Sequence, residues 1–204
     1  MGELNCHNIL PHIEKYGCST FVETGTGIGT GLEYAARFPF KKLYTIEYMR
    51  ELHTKNLEKF SGYKNHQGHF PQKIHLLFGS SIERLPEILK EEVDTPSIFF
   101  WLDAHFPGAD FQLGKYEDQY NFDIKFPLKA ELDIIKQHRA GKKDVFVIDD
   151  LRIYEFGDYE LGNIDNPAIF LGTGIDFIKQ MFEETHIITK DMRQQGFVIM
   201  EPKT

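Results

Sequence analysis

The stretch FVETGTGIGTG, Phe21–Gly31, carries the strongest fold signal in this chain. A short apolar run leads into an acid, Glu23, and four glycines then alternate with small or apolar residues. Glycines directly after a strand let the backbone turn tightly and let a ligand approach it, and a following helix presents free N–H groups. The stretch therefore predicts a strand, a ligand-binding turn and a helix from about Gly29 to Phe38, in that order.

Two common nucleotide-binding patterns do not fit this stretch. A dinucleotide fingerprint reads Gly-x-Gly-x-x-Gly, but counting from Gly25 puts Thr30 where the third glycine belongs. A phosphate-binding P-loop requires Gly-Lys-Ser/Thr, and this stretch has no lysine. Glu23 would repel a pyrophosphate and attract a ligand that carries an amino group. A ligand of the second kind is therefore expected.

Strand-like and helix-like segments alternate through the rest of the chain, which predicts an α/β fold with a doubly wound, mostly parallel sheet of seven strands. Only RQQG, residues 193–196, separates the last two strands. A parallel crossover needs a dozen or more residues, so the last strand should be antiparallel to its neighbour.

With 204 residues and no repeat or linker, residues 1–204 are expected to form one domain, beginning with a helical segment over residues 1–20.

Composition narrows the class of protein. The net charge is −8 and no cluster of lysine and arginine is evident, which argues against a nucleic-acid partner. The two cysteines, Cys6 and Cys18, have no zinc-like spacing and predict a reduced, cytoplasmic protein. No apolar run is long enough to cross a bilayer, so no membrane partner is expected.

The motif ETGTGIG, residues 23–29, resembles the first motif of class I S-adenosylmethionine (SAM)-dependent methyltransferases. That family carries a second acid after its second strand, matched here by Glu47 in YTIEYM, and a polar residue after the third, matched by FGSSIERL. The resemblance runs from about Phe21 to Pro202 and implies SAM as cofactor. The cofactor-binding residues it implies are Glu23, Thr24, Gly25, Thr26, Gly27, Gly29, Glu47, Tyr48, Ser80, Ser81 and Asp103.

Carboxylates follow two strands that should be neighbours in the sheet: Asp103 in WLDAHF, and Asp149 and Asp150 in VIDDLR. Three carboxylates in one place repel one another, and a divalent cation such as Mg²⁺ relieves that repulsion. The pattern resembles the metal-dependent O-methyltransferases, including macrocin-type sugar enzymes, and implies these three residues as metal ligands. The alternative is that Asp149 caps the next segment and Asp150 is solvated. His105 is the candidate general base, with Asp103 as the other choice.

Two stretches break the alternation, residues 106–126 and 152–172, and both follow the carboxyl end of a strand. They are rich in aromatic and acidic residues, which predicts lids over a small-molecule acceptor, with surface decoration or an oligomer contact as the alternative. Their mixed aromatic and acidic content favours a sugar as the acceptor. A homodimer is a further expectation. Candidate acceptor contacts are Phe106, Tyr116, Tyr120, Phe122, Arg152 and Tyr154.

The sequence thus predicts a SAM-dependent O-methyltransferase that acts on a sugar hydroxyl with divalent-metal assistance. Three alternatives stay open at this point. One is a metal-independent SAM methyltransferase with another small-molecule or protein acceptor. The second is a non-catalytic binding module with this fold, and the third is an NAD-linked enzyme.

Overall fold

The computed structural model describes residues 3–61, 73–117, 121–164 and 174–203. Its seven strands are β1 (Thr20–Thr24), β2 (Lys42–Glu47), β3 (Lys73–Phe78), β4 (Ile98–Leu102), β5 (Val145–Ile148), β6 (His186–Asp191) and β7 (Phe197–Pro202). Its helices are α1 (Leu10–Tyr16), α2 (Thr30–Ala35), α3 (Arg50–Phe60), α4 (Ser81–Glu91), α5 (Phe122–Lys125), α6 (Leu128–His138) and α7 (Asp176–Phe182).

The seven strands form one sheet in the order β3-β2-β1-β4-β5-β7-β6. The first five strands pair in parallel, and β7 pairs antiparallel with both β5 and β6. The predicted doubly wound sheet and its closing hairpin are therefore confirmed. The hairpin turn needs unusual backbone, because Gln194 and Gly196 both adopt positive φ, 51° and 84°.

Strand β4, IFFWL, is fully buried because helices cover both faces of the sheet. Its residues alternate between two apolar layers, as the period of two requires. Phe100 belongs to the layer beneath α4, α6 and α7, where it stacks on Phe146 with ring centroids 5.0 Å apart. Phe99 and Trp101 belong to the opposite layer, beneath α1 and α2. This alternation fixes which side chains at the strand ends can reach which face.

The helices are shorter than the sequence pattern predicts. The helix expected from about Gly29 to Phe38 spans only Thr30–Ala35, since the chain leaves the helix ahead of Pro39. Ser80 stands at the N-cap of α4, but its hydroxyl makes no capping hydrogen bond. In the ranges described, no helix combines the length and apolar character needed to cross a bilayer.

A buried carboxylate ties the amino edge of the sheet together. Glu92 is 2 % exposed and accepts four hydrogen bonds. The donors are Lys42 Nζ at 2.6 Å, Tyr44 OH at 2.9 Å, Thr20 Oγ1 at 2.9 Å and Thr95 Oγ1 at 2.5 Å. These bonds lower the pKa of Glu92 to about 2 even though burial acts in the opposite direction.

Candidate functional site

The candidate site lies at the carboxyl edge of the sheet, where the strand order reverses between β1 and β4. Open α/β sheets bind ligands at this switch point. A pocket opens there, and its wall includes the glycine turn, the ends of β2 and β4 and the start of α4. Among the predicted cofactor residues, those on the wall are Gly25, Gly27, Glu47, Tyr48, Ser80, Ser81 and Asp103.

The glycine turn brings backbone within reach of this pocket. Gly25 has φ of +80°, and a Cβ built on it would lie 2.5 Å from the carbonyl oxygen of Asp103. Only glycine combines that backbone conformation with so close an approach to β4. The turn therefore presents main chain, with no side chain in the way, to whatever occupies the pocket.

Glu47 is held rigidly at the end of β2. Its Oε2 accepts a hydrogen bond from Gly27 N at 2.8 Å, and its Oε1 accepts one from Met49 N at 2.7 Å. Burial raises the pKa of Glu47, and hydrogen bonds from the backbone N–H groups of Met49, Gly27 and Tyr48 oppose that rise. Each carboxylate oxygen has two acceptor lone pairs, so both oxygens can still receive a hydrogen bond from a ligand hydroxyl.

Glu23 does not lie on the pocket wall. Its side chain points to the opposite face of the sheet, beneath α2, because β1 alternates and Phe21 and Glu23 share a face. There Glu23 Oε2 accepts a hydrogen bond from Thr45 Oγ1 at 2.5 Å, and Gly31 leaves room for the carboxyl. Burial raises the pKa of Glu23 to about 8, so the group is mostly protonated at neutral pH. The expected direct attraction between Glu23 and a ligand amino group is not supported by this geometry.

Three other predicted cofactor residues also lie off the wall. Thr24 is fully buried, the Thr26 hydroxyl bonds to the Thr45 hydroxyl at 2.5 Å, and Gly29 packs against Asn56 and Phe60. Their role is to shape the turn, since none of them faces the ligand space.

His105 lies between two carboxylates just beyond β4. His105 Nε2 is 2.7 Å from Asp150 Oδ2, and His105 Nδ1 is 3.6 Å from Asp103 Oδ1. Asp150 has a left-handed backbone with φ of 54°, which turns its side chain back toward the site. Asp150 Oδ1 also lies 3.3 Å from Arg152 Nε. The predicted convergence of the β4 and β5 strand ends is thus seen in the structure.

The acidic members of this cluster have pKa values shifted in opposite directions. Burial, reinforced by Asp149 and Asp150, raises the pKa of Asp103 well above its usual range. Burial and Asp150 raise the pKa of Asp149 to about 7. For Asp150, burial acts upward, but His105 and Arg152 outweigh it and lower the pKa. Burial acts to lower the pKa of His105, and Asp150 more than compensates, so that pKa is raised.

A cation could be held by Asp103, His105 and Asp150, whose nearest ligand atoms all lie within 4.8 Å of one another. Two carboxylates and an imidazole fit a divalent transition metal such as Mn²⁺ or Zn²⁺ more closely than Mg²⁺, which prefers oxygen alone. Asp149, the third ligand that the sequence pattern implied, is not in this group, and its side chain hydrogen-bonds to that of Asp103. The metal itself and its identity stay predictions.

A second cavity, of about 280 Å³, adjoins the first, and His105, Phe106 and Asp110 line both. Its remaining lining residues are Tyr116, Asp150, Arg152, Ile153 and Ile164. Phe106 holds a positive φ of 39°, an uncommon conformation for a bulky residue and one that clusters at functional sites.

The predicted acceptor contacts divide into two groups. Phe106, Tyr116 and Arg152 line the second cavity. Tyr154 is buried and packs against Phe177, and Phe122 is 45 % exposed beside Phe126. Tyr120 and the end of the second predicted lid, residues 165–172, lie outside the described residues.

Sequence reading missed two acids near the site. Asp110 lines both cavities and accepts a hydrogen bond from the Tyr116 hydroxyl. Glu131 is 1 % exposed, and burial raises its pKa to about 7. Glu131 lies on the buried stripe of α6 with Leu128, Leu132 and Ile135, and a glutamate at such a position was a signal available in the sequence.

No protein-family model matches this sequence, and no curated protein matches it. Solved structures do match over nearly the whole chain. A Staphylococcus aureus protein with the provisional name of a caffeoyl-CoA O-methyltransferase aligns with a TM-score of 0.59 and 14% identity, over 100% of this chain and 85% of the other. A Klebsiella pneumoniae protein provisionally named an O-methyltransferase aligns with a TM-score of 0.54 and 12% identity, over 96% of this chain and 78% of the other.

The chain has the class I SAM-dependent methyltransferase fold. An rRNA methylase from Streptococcus thermophilus shares this methyltransferase fold too, with a TM-score of 0.51 and 15% identity, over 100% of this chain and 99% of the other. Proteins named for small-molecule and for rRNA methylation therefore both resemble the chain. The methyltransferase fold alone does not determine the acceptor, which depends on the side chains that line the site.

Proposed function

We propose that this protein is a SAM-dependent O-methyltransferase that acts on a hydroxyl of a small molecule. One observation carries the proposal: His105 lies on the boundary between two adjoining cavities. One cavity has the glycine turn and Glu47 on its wall, and the other is open for an acceptor. A base between a methyl donor and a hydroxyl is the arrangement that methyl transfer to oxygen requires.

The cofactor side of the site fits SAM in two respects. Glu47 offers a fixed carboxylate to the two vicinal ribose hydroxyls, and the main chain of Gly25 and Gly27 lines the same pocket. SAM when bound supplies an electrophilic methyl group on a sulfonium. The chain itself supplies binding, alignment and exclusion of water.

On the acceptor side, His105 takes the proton from the hydroxyl. Asp150, 2.7 Å from His105 Nε2, orients the ring and stabilises the imidazolium that forms. Asp103 lies on the other side of the ring, with its Oδ1 3.6 Å from His105 Nδ1. Phe106 and Tyr116 cover the cavity and limit the access of water.

A metal-assisted form of the same reaction is the second candidate, and the clustering of Asp103, His105 and Asp150 favours it. In that form these three residues hold a divalent cation, which would lower the pKa of the acceptor hydroxyl when bound. His105 would then be a ligand and not a base. Removal of metal by a chelator separates the two forms.

A sugar remains the acceptor proposed from the sequence. The second cavity combines the aromatic rings of Phe106 and Tyr116 with the polar groups of Asp110 and Arg152. Aromatic faces with hydrogen-bonding neighbours suit a sugar ring, and Ile153 and Ile164 would also accept a flat catechol. Both classes therefore belong in the first acceptor panel.

The test is transfer of a radiolabelled methyl group from SAM to a panel of nucleotide-linked sugars, free sugars and catechols. Assays run after dialysis against a chelator, with and without added Mn²⁺ or Mg²⁺. His105→Asn should reduce kcat by roughly 100- to 10,000-fold. Asp133→Asn is the matched control, since Asp133 pairs with Lys129 on the exposed face of α6 and should leave kcat unchanged.

The results separate the candidates. Activity that survives chelation supports the His105 base, and activity that is lost and restored by Mn²⁺ supports the metal-assisted form. Binding of S-adenosylhomocysteine (SAH) without turnover on any acceptor would favour a non-catalytic binding module instead.

A further inference from the structure

A third cavity lies at the opposite edge of the sheet from the methyl-transfer site. Its volume is about 450 Å³, and it is bordered by the end of α6, the loop before β5, the end of α7 and the starts of β5 and β6. Asp144 lines it at the amino end of β5, and Asp149 follows the carboxyl end of the same strand. At 3.3 Å per residue, the two places are roughly 17 Å apart along the chain.

The floor of this cavity is apolar and rigid. Ile135 and Phe146 are each 1 % exposed, and Phe182 is 5 % exposed. Phe146 and Phe182 also pack against each other, with ring centroids 5.4 Å apart. Met181 completes the floor. Such a surface suits the apolar body of an organic ligand.

The rim is cationic. Arg139 and Asp144 neutralise each other through two hydrogen bonds of 2.9 Å and 2.6 Å, and His186 has a pKa lowered by burial. This leaves one carboxylate, Glu184, against four lysines on the rim: Lys136, Lys142, Lys143 and Lys203. The rim is therefore a positive region on a chain whose net charge is −8.

These lysines also differ from others in the same protein. Lys55, Lys129 and Lys179 each pair with a carboxylate one helical turn away. Within the described ranges, none of the four rim lysines forms an ion pair, and Lys203 alone donates to a carbonyl, that of Glu183 at 2.5 Å. The positive charge gathered at this cavity is thus not neutralised by the protein itself.

We infer that this cavity binds a small organic anion, with a phosphate ester at the lysine rim and an apolar body on the Phe146 and Phe182 floor. Its volume lies in the range of ligand pockets, about 300–1,000 Å³. Lysine ammonium groups bind phosphate as compact point charges, and several of them around one opening attract an anion more strongly than one does. The site is separate from the methyl-transfer pocket and does not depend on the function proposed for it.

The experiment uses 1-naphthyl phosphate as the probe and follows its fluorescence as the full chain is added. The double variant Lys142→Glu/Lys143→Glu reverses two charges on the rim. The double variant Lys41→Glu/Lys90→Glu makes the same change in net charge at two exposed positions away from the cavity. Thermal unfolding of both variants checks that they fold.

We expect 1-naphthyl phosphate to bind the wild type and the Lys41/Lys90 variant within twofold of each other. Binding to the Lys142/Lys143 variant should be at least tenfold weaker. Inorganic phosphate and 1-naphthol, which each offer half of the probe, should bind the wild type at least tenfold more weakly than the probe does. Binding should also weaken as salt rises from 50 to 300 mM, since the rim is exposed.

Several results would overturn the inference. Equal weakening in the two double variants would mean that only net charge matters. Unchanged binding in the Lys142/Lys143 variant would place the probe elsewhere. Inorganic phosphate that binds as tightly as 1-naphthyl phosphate would remove the role assigned to the apolar floor.

Discussion

Replacing Glu47 by glutamine tests the cofactor side of the site with the smallest change in shape. The carboxylate of Glu47 accepts hydrogen bonds from Gly27 N and Met49 N, at 2.8 and 2.7 Å, and is 5 % exposed. Glutamine keeps one accepting oxygen and turns an amide N–H₂ toward the other backbone donor. One buried N–H then loses its acceptor in the free and the bound protein alike.

Two separate losses follow from that geometry. The unsatisfied backbone donor costs about 1–3 kcal/mol in the free energy of unfolding. A hydrogen bond to a charged group contributes about 1.5–3 kcal/mol and one to a neutral group about 0.5–1.5 kcal/mol, so each ribose hydroxyl loses about 1–1.5 kcal/mol. For two hydroxyls the loss in binding is about 2–3 kcal/mol, or roughly 30- to 150-fold in Kd.

The assay is calorimetric titration with SAH, together with urea unfolding of the same preparations. Glu51→Gln is the control, because Glu51 lies on the surface in the first turn of α3, 2.7 Å from Lys55 Nζ. The control should change both quantities by less than about 0.5 kcal/mol. A Glu47→Gln protein that binds SAH within twofold of the wild type would refute the assignment of Glu47 to the ribose.

Three further predictions concern the base, the glycine turn and the amino edge. If His105 is the base, the acid limb of the pH–rate profile lies at the raised pKa of His105. Asp150→Asn removes the neighbouring charge and should move that limb down by roughly 1–3 pH units. A limb that does not move would exclude the pairing of His105 with Asp150. Gly25→Ala should destabilise the protein by about 2–4 kcal/mol in urea unfolding, because the strain of a positive φ and the clash of the new Cβ with β4 both contribute. Gly141→Ala is the control: its φ is also positive, +77°, but its new Cβ meets open space, so it should cost only about 1–2 kcal/mol. Glu92 has a pKa of about 2 in the folded protein, below its ordinary 4.5, so its contribution of roughly 3 kcal/mol to the free energy of unfolding is present above pH 4.5 and is lost as pH falls toward 2. Glu92→Gln should remove most of this acid dependence. An unchanged profile of unfolding free energy against pH would contradict the prediction.

The parts of the fold that depend on local spacing could be predicted from the sequence. The short RQQG segment between the last two predicted strands left room only for a hairpin, and β7 is antiparallel as expected. The meeting of Asp103 and Asp150 followed from parallel strands ending at one edge of a sheet. Helix ends were less predictable, because Pro39 limits how far α2 can extend but does not fix Ala35 as its last residue.

The face on which Glu23 lies could not be predicted. A strand of period two points Glu23 and Thr24 to opposite faces, and the sequence near the glycine turn does not say which face α2 covers. Glu131 was missed for a different reason: it stands out as an acid on the apolar stripe of α6, but it belongs to no recognised motif.

The lysine rim contradicts the expectation that the chain has no basic cluster. Lys142 and Lys143 are adjacent in sequence, but Lys203 reaches them only because β7 returns to the amino edge beside β5. Charge clusters that depend on such long-range pairing are invisible to a count along the chain.

Calorimetric titration of the wild-type chain with SAH, with NAD⁺ titrated in parallel, shows directly whether the chain holds a SAM site. SAH should bind at one site per chain with a micromolar Kd, and NAD⁺ should give no heat. Absence of SAH binding, or binding of NAD⁺ in its place, would contradict the methyltransferase assignment and leave the glycine turn as a site for another ligand.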